Sequence, residues 1–183
     1  MKGSEADGPE HRVSFGLEDY SKAELVGLLK LYARLYIALD GFWYLSMKGE
    51  FGDDKALEHD LVVWEKMYKR EIDGVTSALG VRDRDIPAFI RVLTIAPWFP
   101  RMQYEVDIKS NSYAVLTVTH CPTLQALEKE GEGREERICR VVDVDYFRKC
   151  GKHFNPNIEV TALKLPPRKS RDEICCQWKV ELK

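Results

Sequence analysis

The sequence contains no long apolar run, no basic excess and none of the common catalytic motifs. None of its apolar stretches reaches the roughly 18 residues that a membrane-spanning helix needs. Its 28 Lys and Arg against 30 Asp and Glu leave a net charge of −2, which argues against a nucleic-acid partner. A glycine-rich phosphate loop, a GxSxG motif and an HExxH motif are all absent. These absences argue against nucleotide-binding, serine-hydrolase and zinc-protease functions, and we expect neither a membrane nor a nucleic-acid partner.

The chain has few cysteines, and their number is odd. The chain has five cysteines in 183 residues, and no apolar segment near its start resembles a secretory signal. This combination is typical of free or metal-bound thiols in a reducing cytosol, so we expect a cytoplasmic protein. The hydrophobic fraction of 44% suffices for a core, and the charged fraction of 32% suffices for solubility.

The hydrophobic pattern divides the chain into a helical first half and a mixed second half. Residues 1–16 are polar and predict a disordered lead. Residues 17–97 show helical periodicity, opened by the capping box Ser21-Lys-Ala-Glu24. Residues 98–183 combine strand alternation with helical segments. We expect an α+β fold in which the helical N-terminal half packs on a small antiparallel sheet with a long helix, as one compact unit.

Three of the cysteines fall where the predicted local structure changes. Cys121 ends a strand just before Pro122, which cannot continue a central ladder. Cys139 lies near the start of a long helix predicted over about residues 135–153, and Cys176 lies near the start of the last strand. Thiols placed in this way could come together at one site in the second half of the fold.

Side-chain periodicity gives most of these thiols a direction. Alternation along the last strand turns Cys176 inward and Cys175 outward. Helical spacing places Cys139 and Cys150 on one stripe that faces the sheet. The inward thiols of different elements are therefore predicted to approach one another.

Three thiolates and one further ligand would form a tetrahedral zinc site. Glu136, which precedes Cys139 by one turn, is a predicted fourth ligand, and His120 and His153 are the other candidates. A site with an open fourth position can activate water. The spacing matches no compact zinc finger, however, and the alternative is that the cysteines are ordinary small core residues.

Four short motifs at these same residues resemble a known group of proteins. Their order along the chain resembles the order in the vinyl-reductase-like (four-vinyl reductase) ligand-binding domains and the L-2-amino-thiazoline-4-carboxylate hydrolase-like proteins. The resemblance covers roughly residues 101–183. The helical segment, with Asp40-Gly-Phe-Trp43, resembles that of members of the hydrolase-like group. The four motifs are Thr119-His-Cys121-Pro122, Ile138-Cys139, Leu165-Pro-Pro167 and Cys176-Gln-Trp178.

The resemblance implies a small α+β ligand-binding fold, with a cysteine-ligated metal in some relatives. It implies Cys121, Cys139 and Cys176 as metal ligands and leaves Cys150 and Cys175 outside the pattern. It also implies a hydrolase activity, although the residues themselves carry no hydrolase signature.

Two aspartates lie on apolar helix faces, where an unpaired carboxylate is costly. In one interpretation Asp40, His59 and Asp60 line a pocket between helices and supply acid–base groups. In the other, Asp40 makes a structural hydrogen bond and His59 faces solvent. The four tryptophans likewise either form a pocket for a flat ligand or pack in the core.

The sequence thus supports three hypotheses. The first is a cytosolic protein that binds zinc through the three thiols and Glu136; if it is an enzyme, a metal-bound water attacks a C–N bond in a small organic acid. A Cys–His nucleophile pair of Cys121 or Cys150 with His153 is a separate interpretation, which has no recognisable local signature. The second is a non-catalytic module that binds or senses a small molecule and has buried structural cysteines. The third is an interaction protein that forms a homodimer through its aromatic first helix.

Overall fold

A helical hairpin and a four-stranded sheet make up the structure, a computed structural model that describes residues 15–183. The predicted disordered lead, residues 1–16, falls almost entirely outside the described residues. The helices are α1 (Lys22–Phe51), α2 (Asp53–Ala78), α3 (Ile86–Leu93), α4 (Pro122–Glu130), α5 (Arg134–Ile138) and α6 (Val144–Phe154). The strands are β1 (Gln103–Ser110), β2 (Tyr113–His120), β3 (Ile158–Lys164) and β4 (Cys176–Leu182).

The two longest helices, α1 and α2, follow each other around one glycine. The Ser21 hydroxyl accepts a hydrogen bond from the Glu24 backbone N–H at 3.3 Å, and the Glu24 carboxylate accepts one from the Ser21 N–H at 2.8 Å, which confirms the predicted capping box. Gly52 has a φ of 85°, a conformation that glycine adopts without strain, and it joins α1 to α2. Neither these helices nor any other within residues 15–183 has the length and apolarity to cross a membrane.

The sheet is antiparallel, with strand order β1-β2-β4-β3. At its centre β2 pairs with β4, so that Leu116 lies opposite Trp178 and Val118 lies opposite Cys176. The side chains of Leu116, Val118 and Trp178 are fully buried on the inner face. This register brings the end of β2 next to the beginning of β4, where two of the predicted site residues lie.

The long helix predicted over about residues 135–153 contains an irregularity. It runs as α5, a π-helical turn over Cys139–Asp143, and α6. α6 packs on the inner face of the sheet, where the Phe147 ring stacks on the Trp178 indole with 4.3 Å between the ring centroids. The π turn therefore lies just before the segment that anchors this helix to the sheet.

One apolar core joins the two predicted regions 17–97 and 98–183. Ile72 of α2 belongs to the same buried cluster as Phe147 of α6 and Trp178 of β4. Helices fill the first region, and an antiparallel sheet with a long helix fills the second. The predicted α+β fold is confirmed.

Gly151 of α6 provides a test of this packing. A Cβ atom at Gly151 would lie 2.9 Å from the Cγ2 atoms of Ile158 and Val160 on β3. We expect Gly151→Ala to lower the free energy of unfolding by about 1–3 kcal/mol, because the helix must shift away from the sheet. Gly74→Ala, in α2, is the control: no atom lies within 4 Å of its new Cβ, so it should raise stability by up to about 1 kcal/mol. Urea denaturation measures both, and equal effects would contradict the close approach.

Candidate functional site

A cavity of about 100 Å³ lies between the α1–α2 hairpin, the sheet and the helix that contains the π turn. The three thiols singled out in the sequence, Cys121, Cys139 and Cys176, all line it, and Cys175 lines it as well. The pairing of β2 with β4 explains why the first and last of these approach each other. Thiols that are remote in sequence therefore line one cavity.

Cys121 reaches the cavity because the chain leaves the sheet at this residue. The inner face of β2 carries Leu116 and Val118, so strand alternation by itself would turn Cys121 to the outer face. Instead Cys121 is the N-cap of α4, and its sulfur accepts a hydrogen bond from the Leu124 backbone N–H at 3.4 Å. Pro122 at the first helical position fixes this change of direction.

The prediction that Cys175 faces outward is wrong, because this residue is buried. It precedes β4, so strand alternation does not apply to it. Its backbone N–H donates to the Val118 carbonyl at 2.8 Å, and the Arg168 guanidinium donates to its sulfur at 3.7 Å. Cys176 has the predicted inward direction, and its sulfur accepts a hydrogen bond from the Trp178 indole N–H at 3.1 Å.

The π-helical turn places Cys139 beside a carboxyl group that the sequence analysis missed. Cys139 and Asp143 are the first and last residues of this turn, and both line the cavity. A π turn widens a helix locally and is frequent at functional sites. Asp143 follows Cys139 by four residues, so helical spacing could have identified it.

Glu136 and His120 do not line the cavity that the thiols line. Glu136 is exposed, and its carboxylate pairs with Arg140 at 3.0 Å. The His120 Nδ1 atom lies 3.3 Å from the Gln125 amide nitrogen. Neither residue lines the cavity, so the carboxyl group nearest to Cys139 at this site belongs to Asp143.

The Cys–His nucleophile pair is not assembled either. His153 contacts the Asp73 carboxylate at 2.8 Å and does not line the cavity. Cys150 is fully buried in the core, and burial raises the pKa of its thiol. Because the thiolate is the reactive form, a thiol in this environment is a poor nucleophile.

Two carboxyl groups line the cavity from its helical side, Asp40 of α1 and Asp60 of α2. They also line a groove of about 400 Å³ between α1 and α2, to which the exposed His59 contributes. A second groove, of about 290 Å³, lies where α1 meets α4 and α5, and the same two carboxyls line it. Asp40 and Asp60 therefore mark the junction of the cavity with both grooves.

The four tryptophans divide between the two roles considered for them. Trp64 and Trp98 line the cavity, and Trp43 lines the groove between α1 and α2. Trp178 packs in the core. The junction at Asp40 and Asp60 is therefore flanked by aromatic rings.

The surroundings of the cavity favour neutral carboxyl groups. Burial raises the pKa of Asp40 to about 6 and that of Asp143 to about 6. Burial and the neighbouring Asp40 raise the pKa of Asp60 to about 7, although a hydrogen bond from Trp64 acts in the opposite direction. Near neutral pH these groups are therefore partly protonated and can both donate and accept protons.

Burial also keeps the thiols neutral. It raises the pKa of Cys121 to about 12, and it raises the pKa values of Cys139 and Cys176 well above the ordinary range. Metal ligation and nucleophilic attack both require the thiolate. Without a cation beside them, these cysteines are held as thiols.

The predicted zinc site does not fit the side chains as they are placed. In the part of the chain that the structure describes, no three His, Cys, Asp or Glu side chains are arranged to hold one metal ion. Lining one cavity is a weaker requirement than sharing one tetrahedral ion, which needs sulfur atoms about 2.3 Å from the metal.

The raised pKa of Asp60 predicts a pH dependence of stability. Its folded pKa of about 7 lies above the unfolded value of about 3.9, so the native state holds the extra proton and becomes less stable as pH rises through this range. Asp60→Asn removes this titration, and its stability relative to wild type should rise by about 2 kcal/mol between about pH 5 and pH 8. Asp172→Asn, at an exposed loop position, is the control. Urea denaturation at each pH checks this, and a constant difference between Asp60→Asn and wild type would contradict it.

Comparison with known proteins places this chain in a family. The family of unknown function DUF6125 matches residues 18–182. No curated protein and no solved structure matches the chain. The match extends over both the helical hairpin and the sheet, and so over every element that lines the cavity. The chain therefore belongs to DUF6125, a family of unknown function.

Proposed function

We propose that the protein binds a small organic acid that carries a basic nitrogen, at the junction of the cavity and the two grooves. The observation that carries this proposal is the convergence of three aspartates and four cysteines, from distant parts of the chain, on one cavity. Buried carboxyls are costly unless a partner compensates them. A concave apolar site with a few convergent polar groups of raised pKa is typical of a ligand site.

The basic nitrogen of the ligand is assigned to Asp40 and Asp60. These carboxyls titrate near neutral pH, so a protonated amine or amidine beside them favours their ionised form. Trp64 and Trp98, which also line the cavity, offer aromatic faces that attract a cation. A ligand cation would thus supply the charge partner for these aspartates.

The carboxylate of the ligand is assigned to the groove of about 290 Å³. Arg34 and Arg101 line this groove, which Asp40 and Asp60 also line. Guanidinium groups recognise carboxylates through paired N–H donors. The resemblance to the L-2-amino-thiazoline-4-carboxylate hydrolase-like group supports the same class of ligand, because that name describes a heterocycle with both functions.

Hydrolysis of a C–N bond in this ligand is a second proposal. The observation that favours it is that Asp40 and Asp60 line the same cavity, with pKa values of about 6 and about 7, so that one can be ionised while the other is protonated. The ionised carboxylate would take a proton from water as the water oxygen bonds to the carbon atom. The protonated carboxyl would give its proton to the departing nitrogen as the C–N bond breaks.

Binding can be measured with L-2-amino-thiazoline-4-carboxylate as the probe. At about 100 times its Kd, a ligand stabilises a protein by about 2.7 kcal/mol, which for a chain of this size raises Tm by roughly 5–10 °C. We expect this shift for wild type and for the control Asp172→Asn, and a much smaller shift for Asp60→Asn and Arg101→Gln. Thermal unfolding with and without the probe measures all four proteins.

The outcomes separate the two proposals. An equal shift in all four proteins would place the probe elsewhere, and no shift in wild type, with this probe or with related amino acids, would contradict binding. Mass spectrometry of the probe tests the reaction, because hydrolysis of the ring C–N bond keeps the departing nitrogen in the product and adds one water molecule to it. Binding without that change would leave a binding protein.

Zinc at the thiols is a separate proposal, supported by the shared cavity of Cys121, Cys139 and Cys176, and it requires these side chains to rearrange. It predicts stoichiometric zinc in protein purified without a histidine tag or after anaerobic zinc loading. Zinc should be lost from Cys176→Ser and retained by the control Cys150→Ser, whose thiol lies outside the cavity. Elemental analysis measures the zinc. A wild-type protein that takes up none but binds the probe would remove the metal and leave the ligand site.

A further inference from the structure

The outward side of α1 carries an apolar stripe with coiled-coil spacing. Alternating intervals of three and four residues mark the a and d positions of a heptad repeat. Four of its six members are more than half exposed, from 51% for Leu35 to 70% for Phe42. We call this set the heptad stripe; its members are Leu25, Leu28, Tyr32, Leu35, Leu39 and Phe42.

The exposed apolar area of the heptad stripe approaches that of a standard interface. Together with the neighbouring Trp43, which is 66% exposed, it presents large apolar side chains along most of α1. Aromatic side chains bury about 150–250 Å² each, and the exposed fractions of Tyr32, Leu35, Leu39, Phe42 and Trp43 together equal about three such side chains, or roughly 450–750 Å². A standard interface buries about 800 Å² on each partner.

The chain itself offers one complementary surface, which is the same stripe on a second copy. Residues 1–14 do not supply an apolar segment, because Met1 and Val13 are their only large aliphatic side chains and they are 12 positions apart. A heptad stripe is self-complementary, since its a and d side chains pack between those of an identical helix. A second copy is therefore the occupant that the sequence provides.

Charge favours an antiparallel pair. The first half of α1 has a net charge of +2, from Lys22, Glu24, Lys30 and Arg34. The second half has a net charge of −1, from Asp40, Lys48 and Glu50. A parallel pair would place the two positive halves side by side, whereas an antiparallel pair places each beside a negative half and opposes the two helix dipoles.

We propose that two copies of the chain pair antiparallel through the heptad stripe and that each copy covers the groove between α1 and α2 of its partner. Leu39 belongs to the stripe and also lines that groove, as does the neighbouring Trp43. The groove leads to Asp40 and Asp60, which it shares with the cavity. This second part rests on the proposed ligand site, which the partner closes against solvent.

Light scattering of the full chain over a range of micromolar concentrations tests the pairing. The wild-type mass should be twice 21.1 kDa. The double substitution Tyr32→Lys and Leu35→Lys changes two side chains that are more than half exposed and line neither groove, so it should keep the circular dichroism spectrum and halve the mass. Leu163→Lys, at an exposed position on β3, should remain dimeric.

Three results would overturn the pairing. These are a wild-type monomer at every concentration, a monomer that binds phospholipid vesicles through α1, and a dimer that forms only after residues 1–14 are deleted.

Dissociation of L-2-amino-thiazoline-4-carboxylate then tests the covering of the groove, and it should be about tenfold faster from the double variant than from wild type. Equal dissociation from both would overturn the covering alone. A dimer that does not bind the probe would overturn the ligand site and leave the pairing intact.

Discussion

The buried carboxyl of Glu71 fixes how the helices meet, and the site depends on that arrangement. Glu71 of α2 is 5% exposed, and a carboxyl at this depth needs hydrogen-bond donors. The Tyr36 hydroxyl of α1 donates to it at 2.6 Å, and the Tyr146 hydroxyl of α6 donates to its other oxygen. The Tyr146 oxygen also accepts the Trp98 indole N–H at 3.0 Å. Because one acid joins three helices, α1 cannot slide along α6 without leaving a buried group unpaired, and Asp40, one turn after Tyr36, stays at the cavity.

The apolar surroundings of the cavity determine which of its groups are chemically active. Desolvation raises the pKa values of thiols and carboxyls alike, but with different consequences. For Cys121, a pKa of about 12 leaves almost no thiolate at neutral pH. For Asp40 and Asp60, values of about 6 and 7 bring the titration into the neutral range. The carboxyls are therefore the groups that can exchange protons or bind a cation, although the cysteines were the more conspicuous feature of the sequence.

Local periodicity predicted the helical first half and the mixed second half, because helices and strands follow from the pattern of neighbouring residues. It placed Cys176 correctly and Cys175 wrongly, since β4 begins at Cys176 and the residue before it follows the loop. It chose Glu136 beside Cys139, whereas the structure places Asp143 there. The π turn that follows Cys139 has no sequence signature that we recognised. Asp40, His59 and Asp60 line a groove between α1 and α2, as one interpretation of the sequence proposed. The junction of that groove with the cavity depends on tertiary packing and could not be predicted from the sequence.

Few side chains of α1 are buried within one chain, although this is the longest helix. It spans Lys22–Phe51, yet its buried side chains are those of Ala33 and Tyr44. Helices of globular proteins owe most of their stability to tertiary packing, and propensity contributes less. A helix that carries apolar side chains on two sides but is covered by its own chain on one side gains stability from any partner that covers the other. Since Leu39 and Trp43 belong to the uncovered side and also line the groove, pairing of α1 would stabilise the helix and shape access to the carboxyls at the same time.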